Sequence, residues 1–257
     1  TVLVGTAGAG GRGVFALNVS NPASYKTSAP VLWELNDKVT DANIKGNIGY
    51  VLGKPVIVPV KIGSSVRWKA IFGNGYGSAN GVATLFVVDI ETGAVEFRQA
   101  IETGAPASSN GLGNIIVIDR WLGSTTDAGR DGYADTVYAG DQNGAVWKFD
   151  LRTAKPTIAV GGKPLFVAKD ASGNRQPILG GFEAASGPAG GVMLYFGTGS
   201  FSFLNDGSDT TMQSLYGVLD AFTTTPVAGR TDLLEQRILL DGTAVRSVTK
   251  NAGLGKL

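Results

Sequence analysis

Three aspartates at four-residue intervals, Asp127, Asp131 and Asp135, stand in the stretch DAGRDGYAD, with Asp131-Gly132 at its bend. Carboxylates so spaced around a glycine suit a hard cation, because calcium takes six to eight oxygens and a short loop can turn alternate residues inward. Counting Asp127 as position one puts Asp131 at five, Gly132 at six, the Tyr133 main-chain carbonyl at seven and Asp135 at nine. Position three is Gly129, which has no side-chain oxygen. Affinity is therefore expected near the about 10⁻⁴–10⁻³ M of extracellular modules, and magnesium, with its tight octahedron, suits the loop less well. Without an ion the carboxylates repel by about 1 kcal/mol per pair even in high dielectric, so binding would order the loop. The same residues also read as a solvated Asp-Gly turn whose carboxylates accept from backbone amides, and spacing alone leaves both readings open.

The elements that must position this loop are strands. Thr136 to Leu151, TVYAGDQNGAVWKFDL, predicts a β-hairpin directly after it, so the calcium-loop hairpin is expected over 119–151. Asp141 at the hairpin turn is expected to accept local backbone hydrogen bonds, and Asn205 to Asp209 is a second acidic turn without a carboxylate at a ninth position. Strands are also predicted over 1–4, 14–19, 31–35, 55–60, 68–73, 84–90, 114–119, 164–168, 192–196 and 215–219, separated by turns rich in Gly, Ser and Asn. Asn36 to Asn47 reads as a polar loop, and only Thr231 to Arg237 reads as helical. Gly8, Gly10 and Gly13 spell GxGxxG, but strand-like sequence follows where a dinucleotide site needs a helix, so a glycine hairpin is expected.

FALN ending at Asn18, FVVD at Asp89, WKFD at Asp150 and YGVLD at Asp220 repeat one strand ending, aromatic in and Asn or Asp out. Recurrence of one β-unit at intervals of about 60 to 70 residues predicts a β-propeller with long loops, about four blades being countable. The aromatics should pack between neighbouring sheets, and the terminal carboxylates or amides should bond the following turn. The chain also opens on a strand with no initiator Met, which reads as a piece excised from a longer protein, forming part of a single propeller domain over 1–257.

Composition removes several functions. With no His and no Cys among 257 residues there is no Ser-His-Asp triad, thiol nucleophile, zinc-thiolate site or disulfide. Net charge is +1 with basic residues scattered, unlike a surface that tracks nucleic-acid phosphates. Apolar runs such as Leu85 to Val88 and Ile115 to Ile118 fall far short of the roughly 20 residues that span a bilayer, so no transmembrane segment is expected.

GAGGRGVFALNV, IFGNGYGS, LFVVDIETG, DGYADTVYAGDQNGAVWKFDL, QPI, YFGTGSF and QSLYGVLD occur in the order of the signature segments of the PilY (PilC/PilY) type IV pilus biogenesis proteins, and TDLLEQR is similar to another. The resemblance covers nearly the whole chain and implies an all-β, modified β-propeller of the quinoprotein-like type, from the C-terminal region of an exported protein at the pilus tip or the outer cell surface. It further implies a non-enzymatic role in pilus extension and retraction, with minor pilins as partners and with attachment to host or abiotic surfaces. A Ca2+ site is implied at Asp127, Asp131, the Tyr133 carbonyl and Asp135, with Gly129 departing from the family's polar third ligand. Residues 130 to 132 read Arg-Asp-Gly, so the integrin-type tripeptide is absent. A quinoprotein-type dehydrogenase propeller and a purely structural or carbohydrate-binding surface propeller are the alternative functions for such a fold.

Overall fold

The structure is a computed structural model and describes residues 1–26, 30–105, 109–120, 130–187, 190–201, 206–241 and 245–249. Most of the regular elements among the described residues are antiparallel strands. β1 (Val2–Thr6), β2 (Gly13–Asn18) and β3 (Val31–Asn36) form one sheet in chain order. β4 (Val56–Ile62), β5 (Ser65–Gly73), β6 (Thr84–Asp89) and β7 (Val95–Gln99) form a second, again in chain order. In the third, β8 (Leu112–Ile118), β9 (Thr136–Asp141) and β10 (Ala145–Asp150) run side by side, and the short β11 (Thr157–Ile158) and β12 (Phe166–Val167) both pair with β10. β13 (Phe182–Ser186), β14 (Val192–Gly197) and β15 (Leu215–Asp220) make the fourth, and β16 (Ile238–Asp241) pairs with β17 (Val245–Val248).

Alternation along each strand stacks these sheets face to face. On β6, Phe86 and Val88 enter a core with Val14, Trp33 and Leu35 of the first sheet, while Leu85 and Val87 enter another with Val137, Trp147 and Phe149 of the third. On β9 and β10 the period-2 rule repeats: Val137, Ala139, Trp147 and Phe149 face the second sheet, and Tyr138 and Val146 face Leu194, Phe196 and Val218 of the fourth. Buried on both faces, the hairpin reads as a near-continuous apolar run.

Two polar side chains inside this stack, Trp33 and Asn74, find their partners in the protein itself. Trp33 Nε1 donates to the Ile90 carbonyl at 3.0 Å, tying the first sheet to the second. The fully buried Asn74 uses its whole amide: Oδ1 accepts from the Thr84 and Leu112 N–H groups at 2.9 Å each, and Nδ2 donates to Asn47 O at 2.7 Å and Val82 O at 2.9 Å. The GNGYGS turn is thereby a structural joint between the second and third sheets.

The repeated strand endings behave as their chemistry suggests. Asn18, Asp89, Asp150 and Asp220 each accept, through Oδ1, the N–H two residues ahead, at 3.1, 3.1, 2.9 and 2.8 Å. Phe86, Trp147 and Tyr216 are buried between sheets, whereas Phe15 is only partly buried. The GxGxxG glycines form the β1–β2 turn, a short 3-10 stretch over Gly8–Gly10, with no helix behind it.

Two local expectations are corrected. Thr231 to Arg237 is not a helix; Arg230–Asp232 makes a single 3-10 turn, Asp232 Oδ2 accepts from Ala228 N at 3.0 Å, and Leu233 is drawn onto the core of the third and fourth sheets. Seven residues are too few to repay helix nucleation without a docked apolar face. The helix lies instead at α1 (Ala42–Asn47), inside the segment read as a loop, where Asp41 caps it by accepting from Asn43 N at 2.8 Å and Ile44 is buried.

Asp141 closes the β9–β10 turn and is 1 % exposed. Its Oδ1 accepts from Ala145 N at 2.9 Å, and Oδ2 accepts from Trp147 Nε1 at 2.8 Å and Asn110 Nδ2 at 3.0 Å. Burial pushes its pKa up against those donors, which favour the ionised form. Asp141→Ala strands the Trp147 and Asn110 donors in the interior and is expected to cost about 3 kcal/mol or more in urea unfolding. Asp141→Asn, which keeps an acceptor, is expected to cost less.

Candidate metal centre

The acidic stretch leaves β8 at Asp119 and returns at Asp135. The Asp119 carboxylate reaches across this path and accepts from the amides of Asp131 (3.2 Å) and Gly132 (2.7 Å). Gly132 sits at φ +86, a left-handed bend that a side chain would strain. Beyond the bend, Asp131 Oδ1 accepts from Tyr133 N at 3.1 Å, and Asp131 Oδ2 lies 3.7 Å from the Lys61 ammonium, which also stands 5.2 Å from the centre of the Tyr133 ring. Ala134 N then donates to Pro59 O at 2.8 Å, so the loop rests against β4, the edge strand of the second sheet.

Asp135 is turned inward and is 7 % exposed. Its Oδ1 takes the Arg120 N–H at 3.1 Å and lies 2.7 Å from the Thr136 hydroxyl, while its backbone bridges Ile118 O and Leu151 N. Burial raises its pKa from 3.8 to about 6; Thr136 and the Arg120 amide pull the other way, and the nearby Asp119 charge adds to the rise. Arg120 carries the loop's base into the fourth sheet: its guanidinium donates to the Gly190 carbonyl and stands 5.5 Å from the centre of the Phe222 ring.

Of the residues expected from spacing, Asp127 and Gly129 lie outside the described residues. Asp131 and Asp135 flank the bend with Tyr133 between them, one half-exposed and the other buried. Among the described residues no three acidic side chains meet closely enough to hold an ion as they stand. The donor chemistry does suit calcium: the side chains and carbonyls available are oxygens, and one carboxylate is buried against its preference for water. Asp119 and Lys61, which sequence reasoning missed, both contact this loop. At the second acidic turn Asn205 is outside the described residues, while Asp206 accepts from Ser200 Oγ at 2.6 Å and Asp209 from Thr211 N at 2.8 Å, both local turn contacts.

Residues 1–249 match the family model described as the PilY1 beta-propeller domain. The chain belongs to the PilY1 β-propeller domain family. Relatives of this domain include a Type IV pilus biogenesis factor PilY1 homolog of Xylella fastidiosa, 43% identical over 254 residues that cover 93% of this chain and 16% of the relative. The Type IV pilus biogenesis factor PilY1 of Pseudomonas aeruginosa PAO1 is 34% identical over 256 residues, covering 91% of this chain and 20% of that protein. The chain thus spans about a fifth or less of the curated relatives it matches. Among solved structures, the Pseudomonas aeruginosa PilY1 C-terminal domain matches with a TM-score of 0.76 at 30% identity, over 97% of this chain and 54% of that one.

In this member of the PilY1 propeller family the inward carboxylate has a consequence for pH. Without metal, Asp135 holds its proton more tightly in the fold than in the unfolded chain. The stability contributed by this group is therefore fully present below about pH 4 and is lost as pH rises to about 6. The expected loss is about 2 kcal/mol after discounting for the loop's access to solvent. Urea unfolding in chelator across that range checks it, with Asp135→Asn expected to lack the step.

Proposed function

We propose that this chain is a non-enzymatic, calcium-binding propeller module of a type IV pilus biogenesis factor, in which ion occupancy of the 119–135 loop biases pilus extension against retraction. The parent protein would be exported and held at the cell surface, outer-membrane associated or at the pilus tip. There it would act with minor pilins and contribute to adhesion to host or abiotic surfaces and to twitching. Family membership and the names of the relatives support the pilus role.

The buried Asp135 carboxylate is the observation that carries the calcium assignment: a nearly enclosed acid, pushed up to about 6, at the end of a loop whose other donors are oxygens. The ligands would be Asp127, Asp131, the Tyr133 carbonyl and Asp135. Bound calcium would supply two positive charges among carboxylates that otherwise repel. Around it the chain's own groups have separate tasks. Asp119 pins the bend through two amides, Arg120 N–H and Thr136 fix Asp135, and Lys61 neutralises Asp131 until an ion displaces it. The doubly buried β9–β10 hairpin keeps the loop's exit rigid.

Calorimetric titration of the full-length protein tests this. Binding is expected at about 10⁻⁴–10⁻³ M calcium. Asp131→Ala and Asp135→Ala should weaken it by about tenfold or more, and Lys61→Ala should strengthen it severalfold by removing a competing charge, each tenfold step being about 1.4 kcal/mol. Absence of binding at millimolar calcium, or binding indifferent to both aspartate changes, would sink the assignment. Unchanged surface piliation in cells carrying a variant that no longer binds would remove the regulatory role while leaving the site.

A further inference from the structure

The interface between the third and fourth sheets encloses a charged pair that the metal loop does not use. Lys148 of β10 and Asp220, the last residue of β15, are 2 % and 1 % exposed, and Lys148 Nζ lies 2.5 Å from Asp220 Oδ2. Tyr138, paired with Lys148 across the β9–β10 ladder, donates its hydroxyl to the same Oδ2 at 2.6 Å. The other oxygen, Oδ1, accepts from Phe222 N at 2.8 Å. Phe222 is held at φ +58, an uncommon conformation for an aromatic residue, and the centre of its ring stands 4.7 Å from Nζ.

We propose that Lys148 and Asp220 condense to an intramolecular isopeptide bond that staples the third sheet to the fourth. Nζ attacks the Asp220 carboxyl carbon, the Nζ–Cγ bond forms, and the Cγ–Oδ2 bond breaks. Oδ2 leaves as water with two protons that originate on the Lys148 ammonium, so an ammonium and a carboxylate become an amide and one water, with no net change of charge and no oxidant. Each contact has a task in that step. Tyr138 relays a proton to the departing Oδ2, and Phe222 N–H holds Oδ1 as it takes up negative charge. Burial lowers the Lys148 pKa, partly offset by Asp220, and so eases formation of the free amine that attacks. Contact within the folded core replaces a bimolecular encounter. The product also removes two charges whose joint burial costs desolvation energy.

The test is peptide mapping by mass spectrometry of the full-length protein taken from its own cells, denatured and digested with trypsin. The peptides bearing Lys148 and Asp220 are expected as one joined species, lighter than their sum by one water and uncleaved after Lys148. In Lys148→Arg they should separate, and in Tyr138→Phe joining should slow by about 100-fold. Separate wild-type peptides, cut after Lys148, overturn the proposal, and because the wild type decides, a variant that fails to fold does not obscure the result.

Discussion

Burial of the β9–β10 hairpin on both faces is the constraint on which the rest of this molecule turns. A strand pair packed between two other sheets has no solvent side, so every charge and polar group on it must find its partner inside the protein. Asp141 is met by Trp147 and Asn110, Lys148 by Asp220, and the Tyr138 hydroxyl by the same Asp220. Asp135 stands just outside this ordered set, at the hairpin's entrance. There burial is severe enough to raise its pKa, while the neighbouring loop still reaches solvent. The proposed cation site thus sets an enclosed carboxylate beside an exposed acidic bend.

Much of the fold was legible because its signals are short-range. The Asn or Asp that ends a strand bonds an amide two residues ahead, and that contact depends on local sequence alone, so Asn18, Asp89, Asp150 and Asp220 could be recognised as equivalents. Short runs rich in β-branched and aromatic residues between glycine-bearing turns located β5, β6, β9 and β10 for the same reason. The edge strands β7 and β13 carry charged residues on faces that packing leaves open, which weakens their pattern. α1 was hidden by Gly46 and two asparagines, poor helix formers held in place by the Asp41 cap and the docking of Ile44. TDLLEQR misled in the opposite way, through good helix formers whose leucines are recruited singly or left exposed.

At the candidate site, Asp131 and Asp135 were visible because carboxylates spaced around a glycine bend can be read from sequence alone. Asp119 was not, since it lies outside the nine-residue window and acts through backbone amides of the bend, a contact that only the folded path creates. Lys61 comes from another sheet altogether, and nothing in the acidic stretch signals its approach. The nine-residue pattern names the donors of the proposed site, and the surrounding sheets decide how Asp131 and Asp135 are held and which charges lie beside them.

Diffraction from crystals of the protein grown with a lanthanide in place of calcium decides whether the bend holds a cation, because the ion's anomalous signal locates it without assuming a ligand set. One peak is expected at the bend, bounded by Asp131, the Tyr133 carbonyl and Asp135, with Asp119 still bonded to the amides of Asp131 and Gly132 and Lys61 withdrawn. No peak at the bend, with Lys61 still paired to Asp131 at saturating metal, would contradict it.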